Sequence, residues 1–456
     1  MLTLISRKRA SSFALAISLA TGTAVIATAV FPTEASAQRR DRDRDRDRDQ
    51  EQEADGGGYS DAFRAAYVPL DEAMKAEGGD ITSMRAQFEQ LAGVLNTSDE
   101  KIAGGGLIFN AGIRLQDRPL QLLGMENMLA SGKVPAEQAG RYNFIAYQLS
   151  NEARDYAKAR RYLQGAIDNN FTTDTINASS LRIAMAESFF ADNDLTSGFN
   201  YLQDAIADRK ASGQPVDEQW YRRGVTVAYE NQVVPTVYDF VTMWISDYPS
   251  STNWRDAINV ARNLNNYEGP EILDLFRLSR RVGALTEASD YDYYVEAADA
   301  RRLPREVKDV IDEGMAAGIV SSGNLFITEA LETATGRIQS DRADLPALER
   351  DAMAADAGLR TVVAAGSAFL SYDEFGKAET FYQKALGMAG VNTNEALTRL
   401  GIAKLGLGKY DEARTTFGRV TGNRESIAKL WIAYANELEK GTAGAAAQSA
   451  ASVESM

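Results

Sequence analysis

The chain contains no cysteine and no histidine. Lack of cysteine excludes disulfides, thiolate nucleophiles and Cys-based metal sites, and with them a lipid anchor attached to a cysteine after a leader. Lack of histidine removes the commonest general base and the commonest metal ligand together. His-dependent nucleophilic catalysis and His-ligated metal hydrolysis therefore fall away, and no catalytic, cofactor-binding or metal-ligating residue is assigned. Proline is scarce, at 10 of 456 residues, so long helices are permitted nearly everywhere. Beyond residue 30 no apolar run reaches the ~20 residues needed to cross a bilayer.

The one long apolar run, Phe13 to Val30, follows a basic start of Arg7, Lys8 and Arg9 and precedes the small-residue site Ala35-Ser36-Ala37. This is the layout of an export signal, with cleavage expected after Ala37. Gly22 and the alanine and threonine content make the run a poor permanent span, so a periplasmic or secreted protein is expected, without stable membrane insertion. Removing residues 1–37 takes away three basic residues and one acidic one, moving the formal net charge from −15 to −17. Nucleic acid is a poor partner for such a chain, because its binding rests on Lys and Arg neutralising phosphates. A basic protein segment suits it better, although acidity also serves plain solubility.

Residues 38–58 hold alternating Arg and Asp from Arg40 to Asp49, then Gln50-Glu51-Gln52-Glu53 and a glycine run. Mixed-sign runs without apolar residues build no core, and the segment reads as a disordered spacer rather than an electrostatic tether. From Tyr59 onward, apolar-periodic segments alternate with short polar breaks, as helical hairpins do.

Two stretches near the C-terminus share one register. Gly366, Ala378, Tyr382 and Ala385 in the first correspond to Gly401, Ala413, Phe417 and Val420 in the second, 35 residues on. Small residues at fixed places imply a helix–turn–helix hairpin whose helices cross closely, where a larger side chain would overpack at roughly 1–3 kcal/mol. Tyr382 and Phe417 lie one turn after the alanines on the same face and can fill the seam. The register can be carried backwards. Gly112, Gly124 and Met128 form one copy; Tyr147, Ala159, Leu163 and Ala166 the next; Ala186, Gly198, Leu202 and Ala205 a third. Trp220, Gly224, Thr236 and Phe240 form a fourth, closed by Tyr248-Pro249. Beyond Trp254 the small-residue marks fade, with Leu303-Pro304 starting one helix, Gly318 near its end and Ser321-Ser322-Gly323 in a loop.

Leu400-Gly401, Ala378-x3-Tyr382 and Ala413-x3-Phe417 resemble the tetratricopeptide (TPR) repeat, whose period is about 34 residues. The resemblance implies an all-α, right-handed superhelical solenoid of stacked hairpins, with a TPR-like array over 59–265, degenerate repeats over 266–345, and a C-terminal pair with a capping helix over 346–440. The Ala-, Ser- and Gly-rich stretch 441–456 reads as a disordered tail. In that family the first helix of each hairpin lines a concave surface, which transfers to Phe144, Gln148, Glu187, Phe190, Tyr221 and Tyr229 as a protein- or peptide-binding groove. Aromatics beside polar groups suit such a groove, while the plainer reading packs some of these rings between hairpins. Family members that hold a terminal carboxylate do so with lysines and asparagines. Here the corresponding places carry Val363, Ser367, Thr398 and Ile402, so the C-terminal pair departs from that pattern.

Two further motifs have plain explanations. Asp290-Tyr291-Asp292-Tyr293-Tyr294 with Glu296 lacks the mid-loop glycine of a calcium loop and fits a helix start with acidic residues near its positive end. Gly104-Gly105-Gly106 has no Gly-Lys-Ser/Thr continuation and fits a close contact within a hairpin better than a phosphate loop. The chain is expected to be a non-catalytic envelope scaffold or adaptor that binds a protein or peptide segment. The alternatives are a periplasmic holdase or assembly factor for outer-membrane proteins, and an Asp/Glu-dependent enzyme acting on cell wall or glycan.

Overall fold

The computed structural model describes residues 58–76 and 79–454, with side chains to residue 441. The export signal and the Arg/Asp linker up to residue 57 lie outside the described residues. Everything described is helix, turn or loop, and there is no strand among the described residues. The chain divides into two compact units, residues 1–181 and 182–456.

In the first unit, α1 (Asp61–Lys75), α2 (Arg85–Ala92), α3 (Ser98–Arg114), α4 (Arg118–Ala130), α5 (Ala136–Glu152) and α6 (Tyr156–Asp168) pack on near neighbours in sequence. The division falls within α7 (Ala178–Ala191). The second unit continues with α8 (Leu195–Ala211), α9 (Glu218–Glu230), α10 (Val234–Asp247), α11 (Ser251–Leu264), α12 (Gly269–Arg281), α13 (Ala288–Ala298) and α14 (Pro304–Ala316). It ends with α15 (Leu325–Met353), α16 (Leu359–Ser371), α17 (Phe375–Leu386), α18 (Thr393–Gly406), α19 (Tyr410–Phe417) and α20 (Glu425–Glu454). The all-α stack of hairpins is the fold class expected from the sequence.

The repeat is written most clearly in its turns. α3–α4, α5–α6, α7–α8, α9–α10, α16–α17 and α18–α19 each bend at one residue of positive φ: Gln116, Arg154, Asn193, Gln232, Asp373 and Gly408. The next residue's N–H returns to the carbonyl five residues back, at 2.8–3.0 Å, from Asp117 to Gly112, Asp155 to Ser150, Asp194 to Phe189, Val233 to Ala228, Glu374 to Phe369 and Lys409 to Lys404. This is the 6→1 bond of a Schellman end, which satisfies a carbonyl that the helix terminus would orphan. In the first three turns the same residue caps the second helix, Asp117, Asp155 and Asp194 accepting from the N–H of Leu120, Lys158 and Ser197. One residue thus closes the first helix and opens the second, which leaves the antiparallel hairpin little freedom.

The small residues stand where the helices cross, but with two kinds of neighbour. A Cβ on Gly124 would lie 2.4 Å from the Phe109 nitrogen and 2.7 Å from the Gly105 oxygen, so α3 and α4 touch backbone to backbone. Within Gly104-Gly105-Gly106, Gly105 makes the close contact within a hairpin expected for the run, while Gly104 faces Leu95 and Phe63. In the C-terminal pair the glycines face rings instead: Gly366 lies against Tyr382, and Gly401 against Phe417. Both rings are buried, as the repeat register requires.

Beyond Trp254, α14 starts at Pro304, Gly318 takes a positive φ just past its end, and residues 321–323 form a loop before α15. Asp290 stands in the first turn of α13, its carboxylate accepting from the N–H of Thr286 and Glu287 at 3.1 and 3.0 Å, so the acidic run is a helix start. α20 runs on as helix to Glu454, through the stretch from Gly441 whose composition read as a disordered tail; its alanines favour helix.

The second unit adds something that nearest-neighbour stacking does not supply. α20 packs on α10, α11 and α12, and α18 packs on α12. Trp254 Nε1 donates to Glu437 at 3.0 Å and Trp431 Nε1 donates to the Asp274 carbonyl at 3.2 Å, across 183 and 157 residues. One apolar core accordingly takes residues from Ile183 to Ala284 and again from Leu345 to Ala435.

Candidate functional site

The six groove residues fall in two units. Phe144 and Gln148 belong to the first unit and the other four to the second. Phe144 is 8% exposed, its ring stacked on Phe171 at 5.0 Å and tilted against Tyr147 at 5.6 Å. It packs rather than projects. Gln148, on the same helix, is half-buried.

Tyr221 corrects the groove assignment most sharply. Its side chain is fully buried, and its hydroxyl donates to the Asp247 carboxylate. Burial, and then Asp247, push its phenol far above the usual range. The reason lies in α9, where Trp220, Tyr221, Gly224, Val225 and Ala228 form a wide buried stripe because the helix is covered on two sides. Tyr229 is half-buried against the same core. Phe190 is half-buried too, its ring lodged on Gly198 and 5.2 Å from Phe199, which makes it a hairpin-packing residue.

What does come together is Glu187, Phe190 and a residue the sequence reading passed over, Arg223. Arg223 grips Glu187 with two nitrogens, Nη2 to Oε2 at 2.7 Å, and its guanidinium lies 6.0 Å from the Phe190 ring. The two charged side chains are about 30% exposed. A spacing of 36 residues between Glu187 and Arg223, one repeat, was the signal that could have found the pair.

The largest charged constellation was not foreseen. Asp274, with no exposed surface, takes Nη1 of Arg277 at 2.9 Å, Nη1 of Arg424 at 2.7 Å and Nε of Arg399 at 3.2 Å. Arg277 also clamps Glu306 at 2.7 and 2.6 Å, and the buried Tyr294 hydroxyl donates to Glu306 at 2.9 Å. Burial alone would raise the carboxyls of Asp274 and Glu306, but the guanidiniums around them outweigh it and hold both below the usual carboxylate range. Both are therefore fixed anions, unsuited to general-acid work near neutrality.

Beside this cluster opens a cavity of about 330 Å³, walled by α12, α14 and the α16–α17 turn. Arg277, Arg280 and Arg281 face Glu306, Asp309, Glu313 and Asp373 across it, with Phe375 and Ile402 adding apolar surface. Arg280 pairs with Glu313, Nε to Oε2 at 2.8 Å. The cavity offers fixed donors and acceptors, which is the equipment of recognition.

Among the described residues no group of carboxylates is arranged to hold a metal ion, and no helix is long and apolar enough to cross a membrane. A comparison of the chain with protein-family models and with curated proteins finds no match to either.

Proposed function

We propose that this protein is a non-catalytic, TPR-like scaffold of the bacterial cell envelope that binds a protein or peptide segment. The observation that supports it best is the Glu187, Arg223 and Phe190 group, which links the first helices of two successive hairpins and leaves two charges partly open to solvent. A partly exposed Arg and Glu beside a ring offer an incoming segment one charge of each sign and an apolar face. Asp274 and Glu306, held charged by arginines, do not supply the raised-pKa acid that the glycan-cleaving alternative needs. Export and a periplasmic or secreted location remain part of the proposal, resting on residues 1–37.

The test is proximity labelling in the native envelope with wild-type protein and with E187R and R223E variants. Loss of the same labelled neighbours in both variants, with unchanged melting, is the expected outcome. Unchanged labelling in both would discard this surface. A holdase is the second reading, favoured by Leu325 and Phe326, which stand 70% and 45% exposed at the start of α15. Suppression of aggregation of an unfolded outer-membrane protein, lost in an L325S/F326S variant, would move the assignment there.

A further inference from the structure

The charges lining the second-unit cavity do not all find ion partners among the described residues. Three guanidiniums and four carboxylates line it, a net of −1. Arg277 is matched to Glu306, Arg280 to Glu313, and Asp309 to Arg305 at 2.6 Å. That leaves Arg281, whose guanidinium is turned to the Tyr434 hydroxyl, and Asp373; neither forms an ion pair among the described residues. Both are exposed, at the rim.

Each is nevertheless held in place. The Arg281 guanidinium lies 5.7 Å from the Phe375 ring and 5.9 Å from the Trp431 ring, between two aromatic faces that orient it. Asp373 is the positive-φ residue of the α16–α17 turn, at φ 58°, with its own N–H bonded to the Leu370 carbonyl at 3.2 Å and that of Glu374 to Phe369 at 2.9 Å. Its carboxylate thus rides on a locked backbone.

We propose that this cavity is a binding site for a small zwitterion, a free amino acid or short peptide whose carboxylate meets Arg281 and whose ammonium meets Asp373. A simple anion would gain Arg281 but also face the surplus of carboxylates. A simple cation would gain Asp373 and face three guanidiniums. A ligand with both charges answers both groups that lack an ion partner, and Leu370, Phe375 and Ile402 can cover one apolar side chain. About 330 Å³ lies at the lower end of the range for small-molecule pockets, the right scale for a dipeptide. The site is independent of the Glu187 surface, so either assignment can fail alone.

The experiment is calorimetric titration of the full mature chain with L-leucyl-L-alanine, its N-acetyl form, which keeps only the carboxylate, and its C-terminal amide, which keeps only the ammonium. The free dipeptide is expected to bind at least about tenfold more tightly than either capped form, the scale of one charge-assisted hydrogen bond. Two variants locate the contacts. R281M keeps the aliphatic stem over Trp431 and Phe375 and should abolish the preference for a free carboxylate. D373N keeps a residue tolerant of left-handed φ and should abolish the preference for a free ammonium. Absence of dipeptide binding, a capped form that binds as tightly as the free dipeptide, or wild-type preferences in both variants would each overturn the assignment.

Discussion

The two units solve the same packing problem by different means. In the first, helices meet partners close in the chain, and the tightest crossing is backbone on backbone at Gly105 and Gly124. In the second, the hairpins cross on rings, and the unit is drawn together at Asp274 by arginines 125 and 150 residues away. An open stack in which each repeat touches only its neighbours has stability that sums local terms. The second unit adds a long-range tie, at the cost of burying charge. A buried ion cluster is weak evidence for net stability, but breaking it from one side is expensive. The contrast teaches that a repeat pattern in sequence specifies hairpins without specifying whether the stack stays open.

All four tryptophans, Trp220, Trp244, Trp254 and Trp431, lie in the second unit, so their fluorescence reports on that unit alone. The largest expected effect is D274A, which removes the one carboxylate shared by three buried guanidiniums and leaves each with a single other, Glu306, Glu395 or Glu271. It should lower second-unit stability by about 3–5 kcal/mol in urea titrations followed by tryptophan fluorescence. A loss below about 1 kcal/mol would remove the cluster from its place as the tie.

Next comes G124A, where the new methyl meets backbone that cannot rotate away. The α3–α4 crossing should open at a cost of about 1–3 kcal/mol, visible as faster amide exchange in residues 98–130 and silent in tryptophan fluorescence. A fluorescence change comparable to that of D274A would undo the separation of the two units.

Smaller effects should rank the ring crossings. A Cβ at Gly401 comes to 2.4 Å of the Phe417 ring, and one at Gly366 only to 3.0 Å of the Tyr382 ring. Alanine gains up to about 1 kcal/mol of helix propensity over glycine. G366A should therefore sit within about 1 kcal/mol of wild type, and G401A should be the more destabilised in parallel melts.

A further comparison concerns pH and the first unit. The Glu100 carboxylate is buried, which opposes its charge, but it accepts from the backbone N–H of Ser60, Asn96 and Thr97 and is held at about 2 against an ordinary 4.5. A lowered folded value means the stabilisation is complete above about 4.5 and is lost as pH falls from there towards about 2. E100Q should flatten that part of the first unit's acid-unfolding curve, followed by far-UV circular dichroism after subtraction of the tryptophan-reported transition. An unaltered acid limb would show that the three hydrogen bonds contribute nothing differential.

Much of the architecture was legible beforehand. The hairpins marked by Gly112, Ala159, Gly198, Gly224, Gly366 and Gly401 all form, and the small residues sit at crossings. The turns could be placed, but the left-handed residue they share was not legible, because five of the six are Gln, Arg, Asn and Asp rather than glycine. Among the groove residues, Glu187 keeps a partly exposed position while Tyr221 is core, since a helix covered on two sides buries more of its circumference than one apolar stripe predicts.

What the sequence determined by itself is the hairpin, because the interactions that make it act within one repeat: apolar spacing, small residues at the crossing and a cap at the turn. What only the tertiary structure decided is the meaning of Asp274, Arg399 and Arg424. Each reads locally as an ordinary charged residue on a helix or turn. Only when the C-terminal helices return onto α12 do the three lose their water together, and a charge without water must take its partner from wherever the fold places one.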